Sequence, residues 1–496
     1  MIARGSTTTW SWSTSVFTLS TLLGLGGAGC GLVWGIEDLS GDNLGNAGGA
    51  GGNAGGAGGN AGGAGGNAGG AGGAGGGPPC TMDCPGDVLW ARGNGSPGAD
   101  LGARVAVAPN GDIYVVGEQS GPIDFGGGLE TGSAFVIKLG PAGKHIWSTA
   151  IPNCNRPHVA VGADSTPVLT AFHSETVTFG PDTYPGAGAF VVKLSAGGAP
   201  IWSKGFAGNT ISANAIAVSS NGDVAITGDF KGLVDFGGAT GQVTSSGSGS
   251  DIFVVKVTAS GNDAWTKTYG AGGSTQNVAQ GVAFGGNGGN EVAITGRSQG
   301  MLDFGMGPVA MGAGVFFTRL SAVGDTLSAR HFPNAAGFGV DHDSIGGFVM
   351  TGLTTGMVDF GDGPIAGGSV FVAKLDAMSQ LSFSSSFKGL GNVGVAVAVN
   401  DDIMITGTFG GTVNAGGEDL MSAGGADIFV AKLAGTDGAH VWSERFGGPG
   451  DDKALGLGVG DKNVVLTGSF SQDVTFGTTL LESAGDTDIW VAKLSR

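Results

Sequence analysis

The sequence predicts an all-β fold, a seven-bladed β-propeller closed by pairing of the N-terminal strand with the last blade, and three observations predict it. A strand phrase reading Asp-Ile-Phe-Val-x-Lys-Leu recurs seven times, at Ala134 to Leu139, Ala189 to Leu194, Ile252 to Val257, Val315 to Leu320, Val370 to Leu375, Ile428 to Leu433 and Ile489 to Leu494. Its spacing of roughly 55–63 residues is that of a repeat architecture rather than of one large domain. Around it stand short alternating apolar runs and Gly-rich turns, with no helical period anywhere. The phase of the repeat supplies the third. A lone Trp strand, Val88-Leu89-Trp90-Ala91, opens the array, and the last copy stops at Leu494 without an outer strand. The opening strand can therefore complete the last unit and remove the open edges.

Each unit begins with a strand of small apolar residues, such as Ala103 to Ala108, Ala215 to Val218 or Val395 to Val399. Small side chains suit a strand packed at a crowded central axis. A turn such as Asn110-Gly111-Asp112 or Asn221-Gly222-Asp223 follows, and Asn-Gly between apolar runs is a strong hairpin signal. The second strand ends in Thr-Gly at Gly228, Gly296, Gly352, Gly407 and Gly468, whereas the second unit carries Thr170-Ala171. Val-Asp-Phe-Gly or a variant comes next, at Phe125, Phe179, Phe236, Phe304, Phe360 and Phe476, with Ala415 in the sixth copy. The Phe-Val-x-Lys-Leu strand is third. The fourth carries Trp-Ser-x-x-Phe, with Trp90, Trp147, Trp202, Trp265 and Trp442, and Leu327 and Phe383 in place of Trp.

Taken together, Phe-Val-x-Lys-Leu, the Thr-Gly strand end, Val-Asp-Phe-Gly and Trp-Ser-x-x-Phe-Gly-Gly-x-Gly-Asp-Asp, complete at Trp442 to Asp452, resemble the bacterial SBBP-type β-propeller repeat. The resemblance covers nearly all of residues 88–496. It implies a seven-bladed propeller on an exported or surface protein, and it brings no catalytic residues with it.

The segment before the repeats reads as export machinery. Residues 1–30 carry Arg4, an apolar run from Val16 to Leu25 and small residues ending at Cys30, the order of a secretory signal too short to span a bilayer as a mature helix. Leu25-Gly26-Gly27-Ala28-Gly29-Cys30 resembles the lipobox of bacterial lipoproteins, although Gly27 stands where that family usually has Leu, Val or Ile. The resemblance implies lipidation at Cys30 and a place in the cell envelope, at the outer membrane or cell surface. The alternative is an ordinary secreted protein. Residues 31–87 are a tether: Asn-Ala-Gly-Gly-Ala-Gly-Gly, from Asn46, Asn53, Asn60 and Asn67, offers nothing to bury against its ordering entropy. In an oxidising compartment Cys80 and Cys84 could close a small disulfide loop, and a bridge from Cys154 to either is the other pairing open to the chain.

A net charge of −18 argues against a nucleic-acid partner, which needs a basic patch. The recurring cation (Lys138, Lys193, Lys256, Arg319, Lys374, Lys432, Lys493) is expected to pair structurally, with Asp124, Asp235, Asp303 and Asp359 as acids within the same units. The acid pairs Asp451-Asp452, Asp401-Asp402 and Asp341-His342-Asp343 lack the ligand spacing of a calcium loop and read as solvated turns. The six His are scattered, and no nucleophile elbow, phosphate loop or His-Glu-x-x-His occurs. No catalytic residue, cofactor or metal is expected. The expectation is a monomeric binding or scaffolding module that meets a protein or glycan at the propeller rim or axis, with the membrane reached through the anchor. Its degenerate units, Asn153-Cys154-Asn155-Arg156 and His331-Phe332 to His342, are where a site is expected. A polysaccharide-acting hydrolase or lyase and a purely structural envelope protein are the competing classes.

Overall fold

The computed structural model describes residues 84–286, 288–309, 312–388, 390–397 and 401–496. The export signal, Cys30, Cys80 and the tether up to residue 83 lie outside the described residues. The described chain is built from antiparallel strands, without a helix.

Seven sheets follow one another in sequence, six of four strands and the second extended to six by Leu233–Asp235 and Gln242–Thr244. The first blade is Leu101–Val107, Ile113–Glu118, Ala134–Leu139 and His145–Ile151, ordered from the axis outward. Blades 2 to 6 start at Cys154–Val161, Ile211–Val218, Val278–Gly285, Ala335–His342 and Leu390–Val397. Blade 7 combines Asp452–Val459, Asn463–Phe470 and Asp488–Ser495 with Val88–Asn94 as its outermost strand. The predicted closure is thus present, with Ala91 opposite Ala492 and Gly93 opposite Trp490. The innermost strands touch their neighbours all the way round, blade 7 meeting blade 1.

The recurring residues hold this ring together in ways that explain why they recur. A bulge kinks the innermost strand, for instance between Ala213 and Ala215 and between Ala454 and Gly456. It thrusts a carbonyl at the second strand: a Cβ on Gly228 would sit 1.8 Å from the Ser212 oxygen. Only glycine fits there. The preceding threonine reaches the other way, its hydroxyl donating to the Phe carbonyl of the third strand, as in Thr227 to Phe253 at 2.7 Å and Thr467 to Trp490 at 2.8 Å. Thr-Gly and Phe-Val-x-Lys-Leu are therefore one three-strand device.

Between blades the Trp and the cation act as a staple. The Trp147 indole N–H and the Lys138 ammonium both donate to the Ala196 carbonyl of the next blade, at 2.9 and 3.1 Å. Trp265 and Lys256 do the same at Ala322. Across the seam Trp90 and Lys493 share Pro141, so the last blade is stapled to the first in the same way. A positive-φ glycine in the receiving turn, Gly261 against Trp202, lets the ring lie flat on the backbone.

Two expectations about these positions need correcting. The cations do not pair with Asp124, Asp235, Asp303 or Asp359, whose carboxylates instead accept N–H groups of their own turns, Gly126 and Gly128 in the case of Asp124. Their partners sit in the turn between the first and second strands: Lys138 with Asp112 at 2.8 Å, Lys193 with Asp164, Lys256 with Asp223, Arg319 with Glu291, Lys374 with Asp343 and Lys432 with Asp402. Strand pairing explains this, because Lys138 lies opposite Tyr114, two residues from that turn. Secondly, the fourth-strand residue opposite Arg319 is Ser328, not Leu327. Ser328 bonds Ser379 of the next blade at 2.7 Å, and Leu327 points outward.

Cys84 is disulfide-bonded and Cys154 is a buried free thiol, which removes the bridge from Cys154 to Cys84. Burial pushes the Cys154 thiol up to about 12, so it is chemically quiet.

Candidate functional site

Residues that vary at fixed places in the repeat, not those that recur, converge at the axis. The residue after Thr-Gly, or its equivalent, caps the second strand of each blade. It is Glu118 in blade 1, Asp229 in blade 3 and Arg297 in blade 4, but Leu353, Thr408 and Ser469 in blades 5 to 7. Beside it lies the bulged stretch of the innermost strand, which carries Arg104, Arg156 and His158, Asn214 and Gln280 in blades 1 to 4. The same stretch holds Phe338 in blade 5 and Leu455 in blade 7. The charged residues thus gather on the side of blades 1 to 4, though blade 2 has Phe172 after its second-strand Ala171, while the described residues at these places in blades 5 to 7 are uncharged.

Hydrogen bonds run through the ionic side from blade to blade. Arg104 Nη1 donates to the Leu455 carbonyl of blade 7 at 3.0 Å. The Arg156 backbone N–H donates to Glu118 at 2.7 Å and its guanidinium to the Ser212 hydroxyl at 3.0 Å. Arg156 has positive φ (53°), which is what allows backbone and side chain to face neighbours on opposite sides. Asn214 Nδ2 donates to Asp229 at 2.9 Å and to the Ala279 carbonyl of blade 4 at 3.1 Å. The Gln280 side-chain oxygen is buried without a partner.

Burial sets the protonation states. It raises the Glu118 carboxyl against the pull of Arg156, and raises Asp229 against Asn214, Arg156 and Arg297. It holds His158 well below its ordinary value, helped by the charges of Arg104 and Arg156, so the imidazole is neutral. Arg104 itself is lowered to about 10 by desolvation. Clustered shifts of this kind, on groups joined by hydrogen bonds across blades, make the arc a functional-site candidate. The arc offers guanidinium donors, carboxylate acceptors and a neutral imidazole to whatever enters the mouth.

The two degenerate units fare differently. Arg156 of the second unit stands in the arc, while Cys154 packs into the core between blades 1 and 2. The fifth-unit stretch is divided. His331 lies on an outermost strand over Gly314, and His342 sits at the far end of an innermost strand beside Asp341 at 3.4 Å. The acid pairs are not all the solvated turns expected, because Asp452 is fully buried at the start of a strand and Asp343 is buried against Lys374. Asp451 accepts the Ala426 N–H, Asp452 the Gly448 N–H, and Asp401 both the N–H and hydroxyl of Ser344. Among the described residues no group of three or more His, Cys, Asp or Glu is placed to hold a metal ion. Glu118, Asp229, Arg297, Arg104 and Asn214 were not legible as a site, though a charged residue after Thr-Gly in some copies and not others is a signal that could have found three of them.

No family model matches this chain, and no curated protein matches it. Solved structures do. The Dos1 propeller is 10% identical over 82% of this chain and 95% of its own, with a TM-score of 0.39. BamB from Moraxella catarrhalis is 12% identical over 80% and 99%, at 0.36. The polysaccharide lyase Uly1 is 11% identical over 79% and 90%, at 0.41. The chain is a β-propeller. At such identities the likeness concerns architecture alone.

Proposed function

We propose that this propeller is an exported binding or scaffolding module, anchored through Cys30 and held off the membrane by the Gly-rich tether, that takes its ligand at the axial mouth of blades 1 to 4. The observation that carries this reading is the one-sided arc of Arg104, Glu118, Arg156, Asn214 and Asp229. Repeated residues serve the fold; this arc is what the repeats do not share. With Arg104, Arg156 and Arg297 against two carboxylates whose ionisation burial opposes, the ligand expected is an acidic chain, a uronate-bearing glycan or an acidic segment of a protein.

The test is a thermal-shift and calorimetric screen of the full chain with uronate oligosaccharides and acidic peptides, repeated with Arg297→Gln. Arg297 is exposed, so its loss leaves the fold alone. Saturable binding without turnover that weakens at least tenfold in the variant supports the module. Appearance of unsaturated uronate ends would place the protein among the lyases, and no binding by any acidic probe would sink the axial site. The anchor is tested separately, by intact mass of the membrane-fraction protein: a chain beginning at acylated Cys30 supports it, and an unacylated chain in the medium overturns it.

A further inference from the structure

A second site lies on the rim of blade 7, away from the axial arc and independent of it. One position on the outermost strand, opposite the Phe or Trp of the third strand, changes from blade to blade. It is Thr268 in blade 3, His331 in blade 4, Ser386 in blade 5 and Arg445 in blade 6, but Gly93 in blade 7. In blade 6 the Arg445 guanidinium reaches back to Asp427, the first residue of the third strand, with Nη1 2.8 Å from Oδ2. Asp427 is wholly buried, and this pair supplies its countercharge.

Blade 7 keeps the acid and lacks the base. Asp488 begins its third strand just as Asp427 does in blade 6, and it too is buried, at 1% exposure. One oxygen accepts the Ala484 N–H, as one oxygen of Asp427 accepts that of Ala423. The other, Oδ1, is buried with no partner, as is that of Asp427, but Asp427 has Arg445 on its Oδ2 and no described cation pairs with Asp488. It points at Gly95, where a Cβ would lie 1.7 Å away. Where an arginine side chain would run, there is a cavity of about 390 Å³, lined by Gly93, Gly95, Phe470, Leu481, Glu482 and Asp488 among others. A buried carboxylate without a countercharge is costly. Apolar walls from Phe470 and Leu481 suit a methylene stem, and the exposed Glu482 adds a second acid.

Blade 3 also buries an acid here without a base, but both oxygens of Asp251 are held, by the Ser246 N–H and hydroxyl. Blade 2 provides the contrast. It also has glycine at this position, Gly205, but Gly188 replaces the aspartate and the Tyr184 ring lies over the glycine.

We infer that the blade 7 cavity is a guanidinium site, which takes from a ligand the arginine-type group that blade 6 provides for itself as Arg445. The ligand carries a guanidinium on an apolar stem, either an arginine side chain of a partner polypeptide or a free guanidino compound. Planar two-pronged donors match a carboxylate better than an ammonium does.

Calorimetry on the full chain with ethylguanidinium, and with ethylurea as its uncharged isostere, tests the idea. Ethylguanidinium should bind at least tenfold more tightly than ethylurea, and Asp488→Asn should remove that preference. Gly93→Arg should abolish binding and raise Tm, since a Cβ at Gly93 meets only ordinary contacts, the nearest at 3.6 Å, and the new guanidinium can pair with Asp488 as Arg445 does with Asp427. Should Gly93→Arg fail to fold, Asp488→Asn still decides. Nα-acetyl-arginine methylamide separates the sources: tighter binding than ethylguanidinium points to a polypeptide arginine, exclusion to a free guanidino compound. Equal affinity for the isostere, an unaffected Asp488→Asn variant, or no binding by the wild type would each overturn the assignment.

Discussion

Asp452 shows how far one buried carboxylate can depart from its solution behaviour. Burial, with the nearby charges of Asp427 and Asp451 and against the Gly448 N–H and Arg445, pushes it up to about 7. Because the folded value lies above the unfolded one, its contribution to stability is fully present below pH 4 and is lost as pH rises through 7. The ceiling is about 4 kcal/mol at 1.4 kcal/mol per unit, and partial relaxation brings roughly 1–3. Asp452→Asn keeps the acceptor for Gly448 and cannot ionise. The gap in Tm between variant and wild type should therefore open between pH 4 and pH 8 in the variant's favour; a constant gap would refute the buried acid. A second residue-scale prediction concerns the seventh cation. Lys493 has no carboxylate because Asn463 stands where other blades have an acid, and burial lowers the Lys493 ammonium. Asn463→Asp should stabilise the fold by about 1 kcal/mol in chemical denaturation, and a loss would show that the site cannot accept the charge.

The staple between blades is the element-scale feature with the sharpest consequence. In Gly261 a φ of +83° coincides with a Trp202 ring 2.7 Å from where a Cβ would stand. Gly261→Ala should cost roughly 2–3 kcal/mol, combining left-handed strain with displacement of the ring, whereas alanine at open Gly232, which shares the positive φ, should cost only about 1. Equal losses would mean that the ring contact contributes nothing. Trp442 is the exception that locates the seam. Its indole N–H is buried without an acceptor, since blade 7 has no continuous turn between its third and fourth strands to offer a carbonyl. Gly86, at φ 90°, takes the glycine's place against that ring.

For the ring as a whole, the seam is the weak joint. Val88–Asn94 pairs with Asp488–Ser495, and Gly86 and Asp87 exchange backbone hydrogen bonds with Ser495. Deleting residues 84–94 should expose the third strand of blade 7 as an open edge, lower Tm and yield concentration-dependent dimers by strand donation, read by light scattering. A truncated chain that stays monomeric with unchanged Tm would show that closure is dispensable.

Blade number, strand order and the seam were legible in the amino-acid sequence because they depend on period and phase, which are local and repeated seven times. The meaning of Thr-Gly was not, since it is the bulge of another strand that forces the glycine. Nor were the partners of the recurring lysines, because units such as the first offer two acids before the cation, Asp112 and Asp124 before Lys138, and only antiparallel register chooses the one before the second strand. The sequence by itself determined a ring of seven blades closed by its own first strand. The tertiary structure alone decided which unshared residues meet at the axis, and that Asp488 lacks the arginine its neighbouring blade supplies, because such contacts join residues whose proximity follows from register and curvature.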